Sequence, residues 1–201
     1  TSTTSPTTFT LTNDKYYIIK EQVTVLDNAI LKIEAGTKIQ WGSPFPMSPL
    51  PGATHPLLTT KDSGRVDAVG TVEKPIEFFY SGYSYNGAWR TVTTSGRLNL
   101  SHVKVMNPQM SSIGTLDHMR FDSDTDDRTG KLSANEITHS IFDFSNWDTA
   151  KPPYYKPPNI NKVKMSLFDR DHSAPRYNYR GIKHWDKTLY IGEIQDTVFM
   201  P

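Results

Sequence analysis

Two stretches constrain this chain more than any other: Val23–Trp41, VTVLDNAILKIEAGTKIQW, and its echo Val66–Phe79, VDAVGTVEKPIEFF. In the first, Val23, Val25, Leu31, Ile33 and Ile39 fall on one side of an extended chain, and Lys32, Glu34, Lys38 and Gln40 on the other. A period of two with one apolar side marks a half-buried strand. Gly36 and Gly70 stand where the chain must turn sharply, and glycine accepts positive φ there without steric penalty. Pro75 lacks a donor N–H, so it suits the start of a strand better than its middle. The reading is a series of short strands joined by tight turns and winding in one direction.

A second, weaker repeat follows. Leu100-Ser101-His102-Val103, Leu116-Asp117-His118-Met119, Ile137-Thr138-His139-Ser140, Val163-Lys164-Met165-Ser166 and Ile194-Gln195-Asp196-Thr197 align with one another. Each leads into a strand in which Val105, Phe121, Phe142, Phe168 and Phe199 share one register. A recurrent unit with a fixed apolar position builds a continuous core from pieces that cannot fold alone. The units are 16, 21, 26 and 31 residues apart. Sixteen is short for a complete turn of a solenoid, so the Leu100 alignment is expected to be off by two. The longer intervals imply insertions around Asp122–Glu136, Trp147–Asn161 and Asp171–Asp186. If these leave the wall at similar corners, they gather on one working face.

Tyr17-Ile18-Ile19, Val23-Thr24-Val25 and Leu31-Lys32-Ile33-Glu34-Ala35-Gly36-Thr37-Lys38-Ile39 together resemble the opening coil of right-handed parallel β-helix proteins. Gly70-Thr71-Val72-Glu73-Lys74-Pro75-Ile76-Glu77-Phe78 is similar to the Gly-Thr…Pro-Ile-x-Phe coil that commonly follows, and Trp89 falls where such coils continue. The resemblance covers roughly the first half of the chain. It implies an all-β, right-handed parallel β-helix, a solenoid with long loop insertions mainly in the C-terminal half. Bacterial surface and secreted proteins, polysaccharide-degrading enzymes and phage tailspikes share that fold, so it leaves activity open.

Composition agrees with an all-β chain. The 201 residues include 14 prolines, 12 glycines and 11% aromatics, and long helix-forming runs are missing. The length suits one domain, expected over residues 9–201. Residues 1–8, TSTTSPTT, hold only Ser, Thr and Pro and read as a linker or tail. Opening on Thr1 rather than Met, the sequence reads as a processed product or an excised domain. Net charge is +1, which provides no bulk field for nucleic acid or an anionic membrane. No window approaches the apolar length of a membrane span. Without cysteine there is no disulfide, thiol nucleophile or thiolate metal site.

The repeat register places Asp122, Asp143 and Asp169 six positions after the aligned apolar residue, so they are expected to stack. Neighbouring strands lie about 4.8 Å apart, and carboxylates at that distance need a cation, protons or a base between them. One reading is an acid pair that cleaves polysaccharide; the other is turn residues capping backbone N–H groups. Asp122, Asp124 and Asp126 match the first ligands of a calcium loop, but Asp127 replaces the required glycine and Ser133 the twelfth ligand. Calcium is thus the one cofactor the pattern invites, against a plain solvated acidic loop. His102, His118 and His139 share one register. Stacked imidazoles can bind a transition metal, yet Met165 and Asp196 interrupt the column, so an internal polar ladder or ordinary turn residues are expected. Trp147, Tyr154, Tyr155, Tyr177, Tyr179 and Trp185, with Tyr190, cluster in the last third. Such amphipathic rings suit a sugar face or a protein partner, or else seal loops onto the wall. No phosphate loop, nucleophile elbow or zinc-hydrolase motif is present.

The ends of a solenoid expose strand edges that must be covered, which makes an oligomer or docking onto other subunits the expectation. The sequence therefore reads as a non-catalytic structural or adhesive module of an extracellular, cell-surface or virion assembly such as a tail fibre. Its aromatic loops would meet a glycan or protein, with no nucleic acid and no membrane insertion. The alternative is a polysaccharide lyase or glycoside hydrolase using the stacked aspartates.

Overall fold

The computed structural model describes residues 6–42, 57–80, 92–106, 108–122, 132–143, 159–164, 167–169, 182–186 and 189–191. Among these residues the protein is all-β and has no helix. The chain begins with β1 (Thr7–Leu11), β2 (Tyr16–Ile19), β3 (Val23–Val25), β4 (Ala29–Ile33), β5 (Lys38–Trp41) and β6 (Leu57–Thr60). It continues through β7 (Arg65–Val69), β8 (Ile76–Tyr80), β9 (Val92–Gly96), β10 (Leu98–Ser101), β11 (Val103–Met106), β12 (Pro108–Asp117) and β13 (Arg120–Asp122). The last strands are β14 (Leu132–Thr138), β15 (Ile141–Asp143), β16 (Asn159–Lys164), β17 (Leu167–Asp169), β18 (Ile182–Asp186) and β19 (Leu189–Ile191).

These strands form two sheets of 11 and 8 members, and every pairing is parallel. The larger sheet runs β1-β4-β7-β10-β12-β14-β16-β18, and β3, β6 and β9 form a branch that joins it at β12. The smaller runs β2-β5-β8-β11-β13-β15-β17-β19. Each pass of the chain thus crosses the larger sheet, turns a corner and crosses the smaller one. The predicted register holds: Leu100 pairs with Leu116, Leu116 with Ile137, and Ile137 with Val163. The Leu100 alignment needs no adjustment by two. Sixteen residues complete that pass because β10, β11 and β12 follow one another almost without loops.

Further along, the expected alignment changes. Trp185, not Ile194, lies beside Val163, and Tyr190, not Phe199, lies beside Phe168. Ile182–Asp186, expected within an insertion, forms a strand of the wall. The other insertions shrink for the same reason: β14 begins at Leu132 and β16 at Asn159. The wall thus begins several residues ahead of each aligned apolar residue. Thr7 and Thr8, from the Ser/Thr-rich start, already pair with Ala29 and Ile30.

The core is built from inward columns. Ile33, Ala68, Leu100, Leu116 and Ile137 form one, and Ile39, Phe78, Val105 and Phe121 another; all are buried. Trp41 is fully buried against Phe78, with ring centroids 5.1 Å apart. Each fully buried large apolar side chain contributes about 1.5–3 kcal/mol. Val25, Ile33 and Ile39 face inward as predicted, whereas Val23 is exposed because β3 ends its branch and, among the described residues, pairs only with β6. Gln40, expected to face solvent, is buried. It lies beside Phe79 in the ladder, and its Oε1 accepts the Tyr16 hydroxyl at 2.5 Å. Pro75 immediately precedes β8, as its missing donor requires.

Glycine serves two different needs here. Gly36 has φ +85° at its turn. Gly70, contrary to expectation, does not take positive φ; a Cβ there would lie 2.6 Å from the carbonyl oxygen of His102. Gly114 is tighter still, with a Cβ falling 2.1 Å from the Leu98 carbonyl oxygen. Gly114→Ala therefore forces two backbones apart and should lower unfolding free energy by about 1–3 kcal/mol in urea titrations. Thr94 sits in an inward column between Leu58 and Met110, and its buried hydroxyl has no hydrogen-bond partner among the described residues. Thr94→Val keeps the shape and removes that polar group. It should be neutral or stabilising by about 1 kcal/mol in the same titration.

Candidate functional site

In its middle passes the chain leaves the larger sheet for the smaller one through a corner of one or two residues, opened by the residue that directly follows the larger-sheet strand. In three successive passes that residue is His102, His118 or His139, with φ of 54°, 50° and 48°. Left-handed backbone is uncommon for residues with a Cβ, but His, Asn and Asp are enriched there. Asn28 and Asp62, with φ of 57° and 53°, carry another corner in the same way. The backbone N–H of His102 donates to Asp117, that of His118 to Thr138 and that of His139 to Lys164, at 3.2, 3.0 and 3.1 Å. Gly70 N–H donates to Ser101 at 2.8 Å and extends the column. Each corner is thereby locked to the next pass.

Repetition of one backbone conformation at strand spacing stacks the side chains. His102 and His118 have ring centroids 4.5 Å apart and planes 9° from parallel; for His118 and His139 the values are 4.7 Å and 19°. The shared register is as predicted, but the ladder is not internal. The left-handed corner throws the rings outward, leaving the His118 and His139 side chains 43% and 40% exposed.

Asp117 joins these rings. Its Oδ2 lies 2.8 Å from Nδ1 of His118 and its Oδ1 2.8 Å from Nδ1 of His139. The Thr138 hydroxyl donates to the same Oδ1. Nδ1 of His102 instead meets the Ser101 hydroxyl at 3.0 Å. Partial burial pushes the Asp117 carboxyl upward, but hydrogen bonds from Thr138, His139 and His118, with the His118 charge, outweigh it and hold the carboxyl at about 2.

On the smaller sheet, Asp122 pairs with Asp143 and Asp143 with Asp169, so the backbone aligns all three as expected. The cation that such a column requires is present at Asp122. Arg120 Nε lies 2.7 Å from its Oδ1 and Lys104 Nζ 3.1 Å from its Oδ2. Towards the N-terminal passes the same outer face carries a shallow hollow of about 410 Å³, lined by Tyr16, Lys38, Glu77, Phe79, Lys104 and Met106 among others. Lys38 and Glu77 are 3.4 Å apart, and the Tyr16 and Phe79 rings pack at 5.7 Å. This combination of ring faces and paired charges can meet a hydroxylated or charged ligand.

Of the other predicted contact residues, Trp185 lies on β18, at the ladder position that Leu100, Leu116 and Ile137 fill with core side chains. The Tyr190 backbone lies in ladder register with Phe168, Phe142 and Phe121. Trp147, Tyr154, Tyr155, Tyr177, Tyr179, Asp124 and Asp126 lie outside the described residues. Sequence reasoning passed over Asp117, although it precedes a histidine in the aligned unit and its register partners are Ser101 and Thr138. Compared with protein-family models, curated proteins and solved structures, the chain matches none.

Because the Asp117 carboxyl sits below its ordinary value of 3.8, its stabilising effect is complete above about pH 4 and fades as pH falls through about 2. The side chain is 30% exposed, so the effect is at most about 1 kcal/mol. Urea titrations of wild type and Asp117→Asn should differ most above pH 4 and converge near pH 2.

Proposed function

We propose that this protein is a non-catalytic structural and adhesive module of an extracellular assembly, wound as a right-handed parallel β-helix. The observation that carries this reading is the all-parallel pairing of both sheets around continuous apolar columns, with one register shift between β12 and β14 at Ser112–Thr115. Such a wall is stiff, repetitive and extended, which suits a spacer that displays side chains at fixed intervals. In this reading the outer face of the smaller sheet is the contact surface, with Tyr16 and Phe79 offering ring faces to a glycan or a protein neighbour. The proposed setting is a bacterial surface or a virion appendage, with other protein subunits covering the ends of the sheets.

The aligned aspartates keep a polysaccharide-cleaving enzyme as the second reading. Asp122 speaks against it, because both its oxygens are already engaged by Arg120 and Lys104. A general acid or nucleophile needs a carboxyl free to meet the glycosidic bond.

A polysaccharide digestion screen, paired with glycan-array and cell-surface binding, separates the two. The expected outcome is no new reducing or unsaturated ends, with saturable binding weakened about tenfold by Tyr16→Ala, the loss of one stacked ring. Product formation abolished by Asp143→Asn would replace the adhesive reading with the enzymatic one.

A further inference from the structure

The corner ladder holds a donor set that the adhesive reading does not use. Asp117, His118 and His139 each offer a ligand atom, and these atoms lie within 4.8 Å of one another. Asp117 and His118 belong to one pass of the chain and His139 to the next. We propose that these three residues bind a divalent transition cation of the zinc, nickel and copper class, and that the cation staples the two passes together.

The chemistry of the donors selects the metal. Two imidazole nitrogens and one carboxylate oxygen form a borderline set suited to zinc, nickel or copper. Calcium and magnesium prefer shells built wholly of oxygen. In a tetrahedral zinc site, donors about 2.0–2.1 Å from the metal sit roughly 3.3 Å from each other. The two nitrogen–oxygen contacts at 2.8 Å therefore widen by about half an ångström. Both histidines lie at the surface, where a small ring rotation meets no packed core. The Asp117 carboxyl is placed between the two rings, 2.8 Å from Nδ1 of each. Three protein donors leave a position open for water or a donor from a neighbouring subunit.

His102 provides the internal control. Its ring stacks on His118, but its Nδ1 meets the Ser101 hydroxyl and it does not belong to the cluster of three donors. The proposed site therefore excludes it, whereas a site running along all three rings would include it.

The test is a titration of the full, chelator-stripped chain with zinc, nickel and calcium, read by calorimetry and by thermal unfolding. Wild type is compared with Asp117→Asn, His139→Asn and His102→Asn. Asparagine tolerates the left-handed corner, and matching metal-free melting curves would show that the fold is kept. The expected result is one saturable equivalent of zinc or nickel, a zinc-dependent rise in melting temperature and no calcium binding. Affinity should fall at least about tenfold in Asp117→Asn and His139→Asn, while His102→Asn binds as wild type does. Absence of saturable binding in wild type would overturn the proposal. So would undiminished affinity in His139→Asn, which places the metal on other histidines, or an equal loss in His102→Asn. Metal binding and glycan binding are separate readouts, so either proposal can fail alone.

Discussion

Every pass of this chain depends on the backbone groups of the passes beside it. A parallel strand cannot satisfy its N–H and C=O groups within itself, and here each strand inside a sheet takes its partners from the passes on either side. Inward side chains then have no freedom of register. Phe121 lies beside Val105 because Arg120 lies beside Lys104, and a slip of one residue would turn every apolar side chain towards solvent. The hydrogen-bonded ladder and the apolar columns enforce one another.

Corners are where this mutual enforcement is most demanding. The chain must pass from one sheet to the other within one or two residues, and three successive passes do so with the same backbone conformation at the corner's first residue. Left-handed backbone achieves this in one step, at a steric cost that Asn, Asp and His bear best. Asn28 and Asp62 serve one corner, and His102, His118 and His139 another. The imidazole stack is therefore a by-product of backbone geometry before it is anything else. Asp117 turns that by-product into a chemically distinctive place, because its two oxygens reach rings at two levels.

How much of this was legible in the residues follows from the same physics. Period-two alternation revealed the strands around Ile33 and Ile39, and the repeated apolar-polar-His unit revealed the register from Leu100 to Val163. What stayed hidden was what depends on neighbours distant in sequence. Gln40 reads as a surface residue until Tyr16 and Phe79 are seen to cover it. Gly70 reads as a turn glycine until the His102 carbonyl is found where its Cβ would be. The strand at Ile182–Asp186 lay within a polar, aromatic stretch, and only pairing with β16 distinguishes it from loop. The histidine register was plain, yet its outward direction was not, because alternation along a strand says nothing about a residue in left-handed conformation between two strands.

The uniform direction of the strands has a consequence for how copies of this chain can meet. A ladder in which every strand points the same way is polar: the edge at Thr7–Leu11 and the edge at the far end of the stack are different surfaces. A second copy that continues the ladder in parallel at one edge must present its opposite edge. Joining of that kind is heterologous and does not close on itself, so it yields a column that can grow from either end. A two-fold dimer made at the same edge would have to pair strands antiparallel, with a different register and a different side-chain match. The architecture that gives the wall its regularity thus also gives it an intrinsic vector, and any assembly that keeps the pairing rule inherits that vector.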